Sequence, residues 1–284
     1  MKKVAIQGTH GAFHEIAAYK YFGKNIKLVC CNTFEDVFDS LDAKKADACV
    51  VAIGNSRSGD IAKVYDILIQ NHLNKVVTKY WIGGEVYIKI DQCLLGVKGA
   101  SLETIEEVHS QTPALSQCTN YLRSNLGGAQ LIAQTDTAKS AQLVSKWNDP
   151  SKAAIASASA AKIYGLKVIA KAIQDDPINV TRFLIIELGK PARLSGCSKS
   201  SLLLKTNHTP GSLAKALTIF GDQKINLSYL QSVPVPKSPF QYRFYIDIEA
   251  RISDERVKKA FKILESDGYG VDVLGCYYLA KIPS

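Results

Sequence analysis

From residue 3 to about 188, short apolar runs alternate with amphipathic stretches of helical period, and this limits the fold more than any other feature of the chain. Val4-Ala5-Ile6 reads as a strand, and Ala12 to Phe22 as a helix. Thr33 is an N-cap candidate, with Phe34, Val37, Phe38 and Leu41 at helical spacing behind it and Asp36 at the capping-box position. A strand at Ala48 to Ile53 and a helix carrying Ile61, Val64, Leu68 and Ile69 on one face come next. Further strands are expected at Glu85–Ile90, Cys93–Val97, Glu107–His109, Gln130–Ala133, Ala153–Ala156 and Arg182–Leu188. Strands alternating with helices predict α/β layers on mostly parallel sheets.

The texture changes near residue 189, where Gly, Pro and Ser without periodicity mark a linker over 189–198. The remainder, 199–284, predicts a separate unit. Ser201–Thr206 is a strand, and Thr209-Pro210-Gly211 opens a helix with Pro at its first position, ending at Gly221. Ile225–Val233 is a strand and Pro234–Pro239 a turn. In the next strand Tyr242, Phe244, Ile246 and Ile248 alternate with Arg243, Asp247 and Glu249, the pattern of a half-buried strand. Ser253 is the expected cap of a second helix, and Val271–Ala280 closes a β-α-β-β-α-β order, the ferredoxin-like arrangement.

Bulk properties exclude several classes. The net charge of +9 is spread along the chain without a Lys/Arg cluster, which argues against nucleic-acid binding. No apolar run approaches the roughly 20 residues of a membrane helix. The opening Met1-Lys2-Lys3-Val4 reads as a first strand rather than a signal peptide, so a cytoplasmic protein is expected. Seven cysteines, most in apolar runs and none in a C-x-x-C pair, predict inert core thiols in a reducing compartment.

In the larger domain, polar loops follow strands and lead into helices. They are Gly8–Gly11, Gly54–Gly59, Ser110–Thr112, Gln134–Thr137 and Ser157–Ser159. Each alone is no more than a set of helix caps. Five together suggest a small-anion site, because loops at the carboxyl ends of α/β strands bind ligands and helix N-termini present free N–H groups. Gly8-Thr9-His10-Gly11 lacks the G-x-G-x-x-G spacing of a dinucleotide fingerprint. No H-E-x-x-H zinc motif or G-x-S-x-G elbow occurs. Asn179-Val180-Thr181-Arg182-Phe183 places a hydroxyl and a guanidinium at the entry of an apolar strand.

Taken together, these segments resemble the prephenate dehydratase family along essentially the whole chain. The match rests on Thr181-Arg182-Phe183, on Ala153–Ser157 leading to Tyr164-Gly165-Leu166, and on His109-Ser110 with Gln117-Cys118. Asn55-Ser56 with Gly59 and Gly8–Phe13 add to it. The C-terminal unit resembles the ACT regulatory domain through Thr209–Leu213 and Ile225-Asn226-Leu227.

The resemblance implies a catalytic domain over 1–188 with two α/β lobes, like a periplasmic binding protein. One lobe would take about 1–75 and 160–188, the other about 76–155. It implies decarboxylating dehydration of prephenate to phenylpyruvate, without metal or organic cofactor. It also implies phenylalanine binding at the ACT domain, in a homodimer or homotetramer. By family position Thr181 donates to the leaving oxygen and Arg182 pairs with a carboxylate. Asn55, Ser56, Ser110, Gln117 and Thr9 supply neutral contacts, and Phe183 packs in the wall. The allosteric positions would be Pro210, Gly211, Ser212, Leu213, Asn226, Leu227, Gln231 and Ser232.

The chain departs from the family pattern in places. Gly54 stands where the family has Glu, so a carboxylate is missing beside Asn55. Gln231 and Val233 replace an acid and an arginine, which weakens the expectation of phenylalanine feedback. Arogenate dehydratase, and a sensor that has lost catalysis, remain alternatives to the principal reading.

Overall fold

The computed structural model describes residues 1–73, 80–189, 196–235, 238 and 240–283. In chain order the elements begin with β1 (Lys2–Gln7), α1 (Phe13–Phe22), β2 (Ile26–Cys31), α2 (Phe34–Asp42), β3 (Ala48–Asn55), β4 (Gly59–Asp60) and α3 (Ala62–Leu73). There follow β5 (Tyr80–Lys89), β6 (Cys93–Gly96), β7 (Glu107–Gln111), α4 (Thr112–Ser116), α5 (Thr119–Asn125), β8 (Gln130–Gln134), α6 (Thr137–Trp147), β9 (Lys152–Ala156), α7 (Ala158–Tyr164), β10 (Lys167–Ala170) and β11 (Val180–Leu188). The chain ends with β12 (Lys199–Lys205), α8 (Ser212–Asp222), β13 (Leu227–Pro234), β14 (Tyr242–Ile248), α9 (Glu255–Ser266) and β15 (Gly270–Tyr277).

These elements form two units. The first comprises Met1–Ile61 and Val86–Phe183 with the last residues of the chain, the second Ala62–Glu85 and Leu184–Lys281. Residues 62–73, part of the expected first lobe, thus group with the C-terminal elements. The linker expected over 189–198 lies largely outside the described residues.

Within the first unit β11, β3, β1 and β2 lie side by side, with β1 parallel to both β2 and β3. A second sheet has the order β10-β6-β9-β7-β8. There β7 runs parallel to β8 and β9, while β6 is antiparallel to β9 and β10. This sheet is therefore mixed, where mostly parallel pairing was expected. Its residues alternate between two apolar layers. Ala154 and Ala156 pack with Ala138, Ala141 and Val144 of α6, while Ala153 and Ile155 pack with Leu115 and Leu122. A two-residue strand period produces this double burial. The Thr33–Asp36 capping box at α2 forms as its residues predict.

The second unit carries the ferredoxin-like order, with β13-β14-β12-β15 adjacent and their described pairings antiparallel. Leu202, Leu204, Ile246 and Ile248 face α8 and α9 in one core. The opposite face is also closed, contrary to the half-buried strand expected. Tyr245 and Asp247 are fully buried, and Tyr65 of α3 packs edge-on against Tyr245 and stacks with Tyr229. Polar groups survive there because they pair: Lys199 Nζ lies 2.9 Å from Glu85, and Ser201 Oγ donates to Asp247 over 2.6 Å.

Two helix starts differ from expectation by a residue or two. α8 begins at Ser212, after Gly211 in the left-handed region (φ 76°), so Pro210 is not its first residue. The cap of α9 is Asp254, whose side chain accepts from Arg256 N. The uniform free thiols expected from the cysteine pattern are corrected as well. Cys197 and Cys276 are joined by a disulfide, their Cα atoms 5.7 Å apart. The antiparallel register of β12 and β15, which pairs Lys199 with Tyr277, brings together residues separated by 79 positions. The other five cysteines are free.

Candidate active site

In the first unit, the ends of β3 and β11 meet a cavity of about 290 Å³. Its wall includes Thr181 and Phe183 from β11, Asn55 from β3, Ser58 from the loop after it, and Gln117 beyond α4. His14, Phe13 and Phe34 add aromatic surface. Asp136, the N-cap of α6, supplies the sole carboxylate of the wall among the described residues, and the wall holds no lysine or arginine.

Asn55 organises the polar side. Its Oδ1 accepts from the backbone N–H groups of Arg57 and Ser58, each at 2.9 Å. Backbone amides only donate, so this contact fixes which end of the side chain is oxygen. Asn55 Nδ2 therefore donates, to Asn179 Oδ1 at 2.7 Å and to Thr181 Oγ1 at 2.8 Å. Asn179 Nδ2 donates to Gln117 Oε1 at 2.7 Å, and Gln117 Nε2 to Ser58 Oγ at 2.8 Å. Ser58 Oγ donates back to Asn55 Oδ1 at 3.3 Å. The four side chains close a ring in which each donates to the next, and Thr181 hangs from it. Because Thr181 Oγ1 already accepts, its own proton is available to the cavity.

Several expected site residues lie elsewhere. Arg182 is 9% exposed and is not on the cavity wall, because strand alternation sends it to the face opposite Thr181 and Phe183. Ser110 is fully buried and donates to the Ile155 carbonyl over 2.6 Å. Ser56 splints two loops: its Oγ donates to the Ile178 carbonyl and accepts from Val180 N. Thr9 is hydrogen-bonded to the Asp136 carboxylate through backbone and side chain. Burial pushes that carboxyl above the usual range, and hydrogen bonds from Lys139, Ala138 and Thr9 oppose the shift.

The wall residues Ser58, Asp136 and His14, and the buried Asn179 that Asn55 and Gln117 bind, were not among the expected site residues. Ser58, Asp136 and Asn179 lie inside polar segments already singled out, but nothing local separates them from caps. His14 carries no sequence signal of its own. At Gly54 the structure answers part of the missing-carboxylate departure. Gly54 pairs across the β3–β4 hairpin with Asp60, whose Oδ1 lies 3.1 Å from where a Gly54 side chain would begin.

The expected allosteric positions divide in the second unit. Pro210, Gly211, Ser212 and Leu213 line a cavity of about 990 Å³ with Arg243 and Phe244. Asn226, Leu227, Gln231 and Ser232 do not line it. Asn226 pairs with Glu249, and Gln231 donates to the Ser232 carbonyl.

An α/β unit with a small, amide-lined cavity and one oriented hydroxyl has the form of an enzyme acting on a small oxygenated anion. Comparisons with known proteins agree. The family model described as prephenate dehydratase matches residues 4–191, and the chain belongs to the prephenate dehydratase family. It is 39% identical to arogenate dehydratase/prephenate dehydratase 1, chloroplastic, of Arabidopsis thaliana, over 97% of this chain and 71% of that protein. Prephenate dehydratase from Arthrobacter aurescens in complex with L-Phe superposes with a TM-score of 0.82 at 25% identity, covering 98% and 90% of the two chains. GqqA, described as a novel type of quorum quenching acylase, gives 0.85 at 26% identity, covering 98% of each.

Proposed function

We propose that the chain converts prephenate to phenylpyruvate, water and CO2. The observation that carries this reading is the Asn55–Thr181 hydrogen bond, which holds a hydroxyl with its proton free to donate. Prephenate must lose its ring hydroxyl as its ring carboxylate leaves as CO2, with one proton consumed to form water. A positioned donor at the departing oxygen stabilises the charge that develops there. Thr181 has that role, and the ring of Asn55, Asn179, Gln117 and Ser58 holds it in place. Acyl transfer by the same hydroxyl is disfavoured, since a nucleophile needs a base and the amide beside Thr181 is a donor.

A second substrate is favoured by one feature. Arogenate carries an ammonium where prephenate has a keto group, and the Asp136 carboxylate on the wall would pair with it. The Arabidopsis relative is named for both activities.

Phenylalanine regulation through the second unit, a homodimer or homotetramer, and a cytoplasmic location complete the proposal. No described helix is long and apolar enough to cross a membrane. The lining of the larger cavity by Pro210–Leu213 supports an effector site, while Gln231 and Val233 argue for weak feedback. The test is release of phenylpyruvate by the purified chain, prephenate and arogenate side by side, with and without phenylalanine. No turnover of either substrate would overturn the reading.

A further inference from the structure

His14, in the first turn of α1, is buried between two aromatic rings. The Phe183 ring stands edge-on with centroids 5.0 Å apart, and Phe34 lies 5.9 Å away. The imidazole Nε2 accepts from Ala52 N at 3.3 Å, just beyond Val50, the last residue of β3 in register with β1. A backbone amide can only donate, so Nε2 bears no proton. Burial holds the ring's pKa down at about 3, so it is neutral near pH 7. A neutral imidazole with a bare Nε2 carries its hydrogen on Nδ1.

No hydrogen bond within the described residues uses that hydrogen. Nor is Nδ1 among the sealed, unpartnered polar atoms of the interior. The ring lines the cavity that Thr181 and Asn55 line. Among the described residues no lysine or arginine lines that wall, so neutral donors are the groups there that can hold an anionic substrate. We propose that the Nδ1–H of His14 is one of them, a substrate-binding donor to a carboxylate oxygen of the cyclohexadiene substrate. This deepens the reading of the site given above and rests on it.

Two substitutions separate the ring's nitrogens. A glutamine amide reaches the region of Nε2 and an asparagine amide that of Nδ1. His14→Gln keeps a partner for Ala52 and loses the Nδ1 donor. It should raise KM for prephenate roughly 10- to 100-fold, the scale of a hydrogen bond to a charged acceptor, with kcat changed much less. His14→Asn keeps a donor near Nδ1 and loses the Ala52 contact. It should lower Tm while KM stays within about threefold, since the donor survives.

Wild-type KM in His14→Gln would overturn the inference, as would an equal rise in KM in both variants. Either result leaves the dehydratase activity standing. A wild-type protein that releases no phenylpyruvate removes the activity and the inference together.

Discussion

Asn55 Nδ2 donates to Thr181 Oγ1 over 2.8 Å, and the direction of this bond matters more than its length. Two backbone amides pin the other end of the asparagine, so the hydroxyl is left as a donor facing the cavity. Removing the Thr181 hydroxyl by Thr181→Ala should lower kcat at least ~100-fold, the lower scale for one positioned donor. Thr181→Ser should retain most turnover. Steady-state kinetics with circular dichroism on both variants checks this, and near-normal turnover in Thr181→Ala would remove the residue from the mechanism.

Gln117 bridges Ser58 and the buried Asn179. Gln117→Glu keeps the shape and the acceptor for Asn179 but adds a charge beside an anion site. KM for prephenate should rise about tenfold or more, the effect of a like charge worth more than ~1 kcal/mol at this depth. Tm should move little. Isothermal titration of a substrate analogue would report the same loss without turnover.

His14 also gives the fold a pH dependence. Its pKa is about 3 in the folded chain, against 6.5 when free. Between those values the unfolded chain binds a proton that the folded chain does not, so stability rises with pH and is lost as pH falls from 6.5 towards 3. The slope is up to about 1.4 kcal/mol per pH unit for one group. Urea titrations at pH 7, 6, 5 and 4 should show this slope in the wild type. His14→Gln should flatten it, and an unchanged slope in that variant would assign the effect elsewhere.

The Cys197–Cys276 bridge closes a separation of 79 residues. In the chain-entropy account a loop of that size contributes about 4.5 kcal/mol. Paired Cys→Ser substitution, or reduction, should lower the Tm of the second unit while leaving the geometry of the dehydratase cavity in the first unit unaltered. Differential scanning calorimetry with and without reductant is the measurement, and identical melting in both would show that the bridge contributes nothing.

Much of this molecule could be read along the chain, because period and capping are short-range effects. The strand-helix alternation, the βαββαβ order of the C-terminal unit and the Thr33–Asp36 box need only neighbours a few residues apart. The segment containing Thr181 was also visible as a hydroxyl at the entry of an apolar strand.

Tertiary structure decided which face of β11 meets the cavity, and so placed Thr181 and Phe183 there in preference to Arg182. It closed the ring of Asn55, Asn179, Gln117 and Ser58 across separations of up to 124 positions. It also turned His14 into an oriented donor by offering its other nitrogen the amide of Ala52, and joined two cysteines through the register of β12 and β15. Each of these depends on directional contacts between distant segments, and local propensity does not encode their geometry.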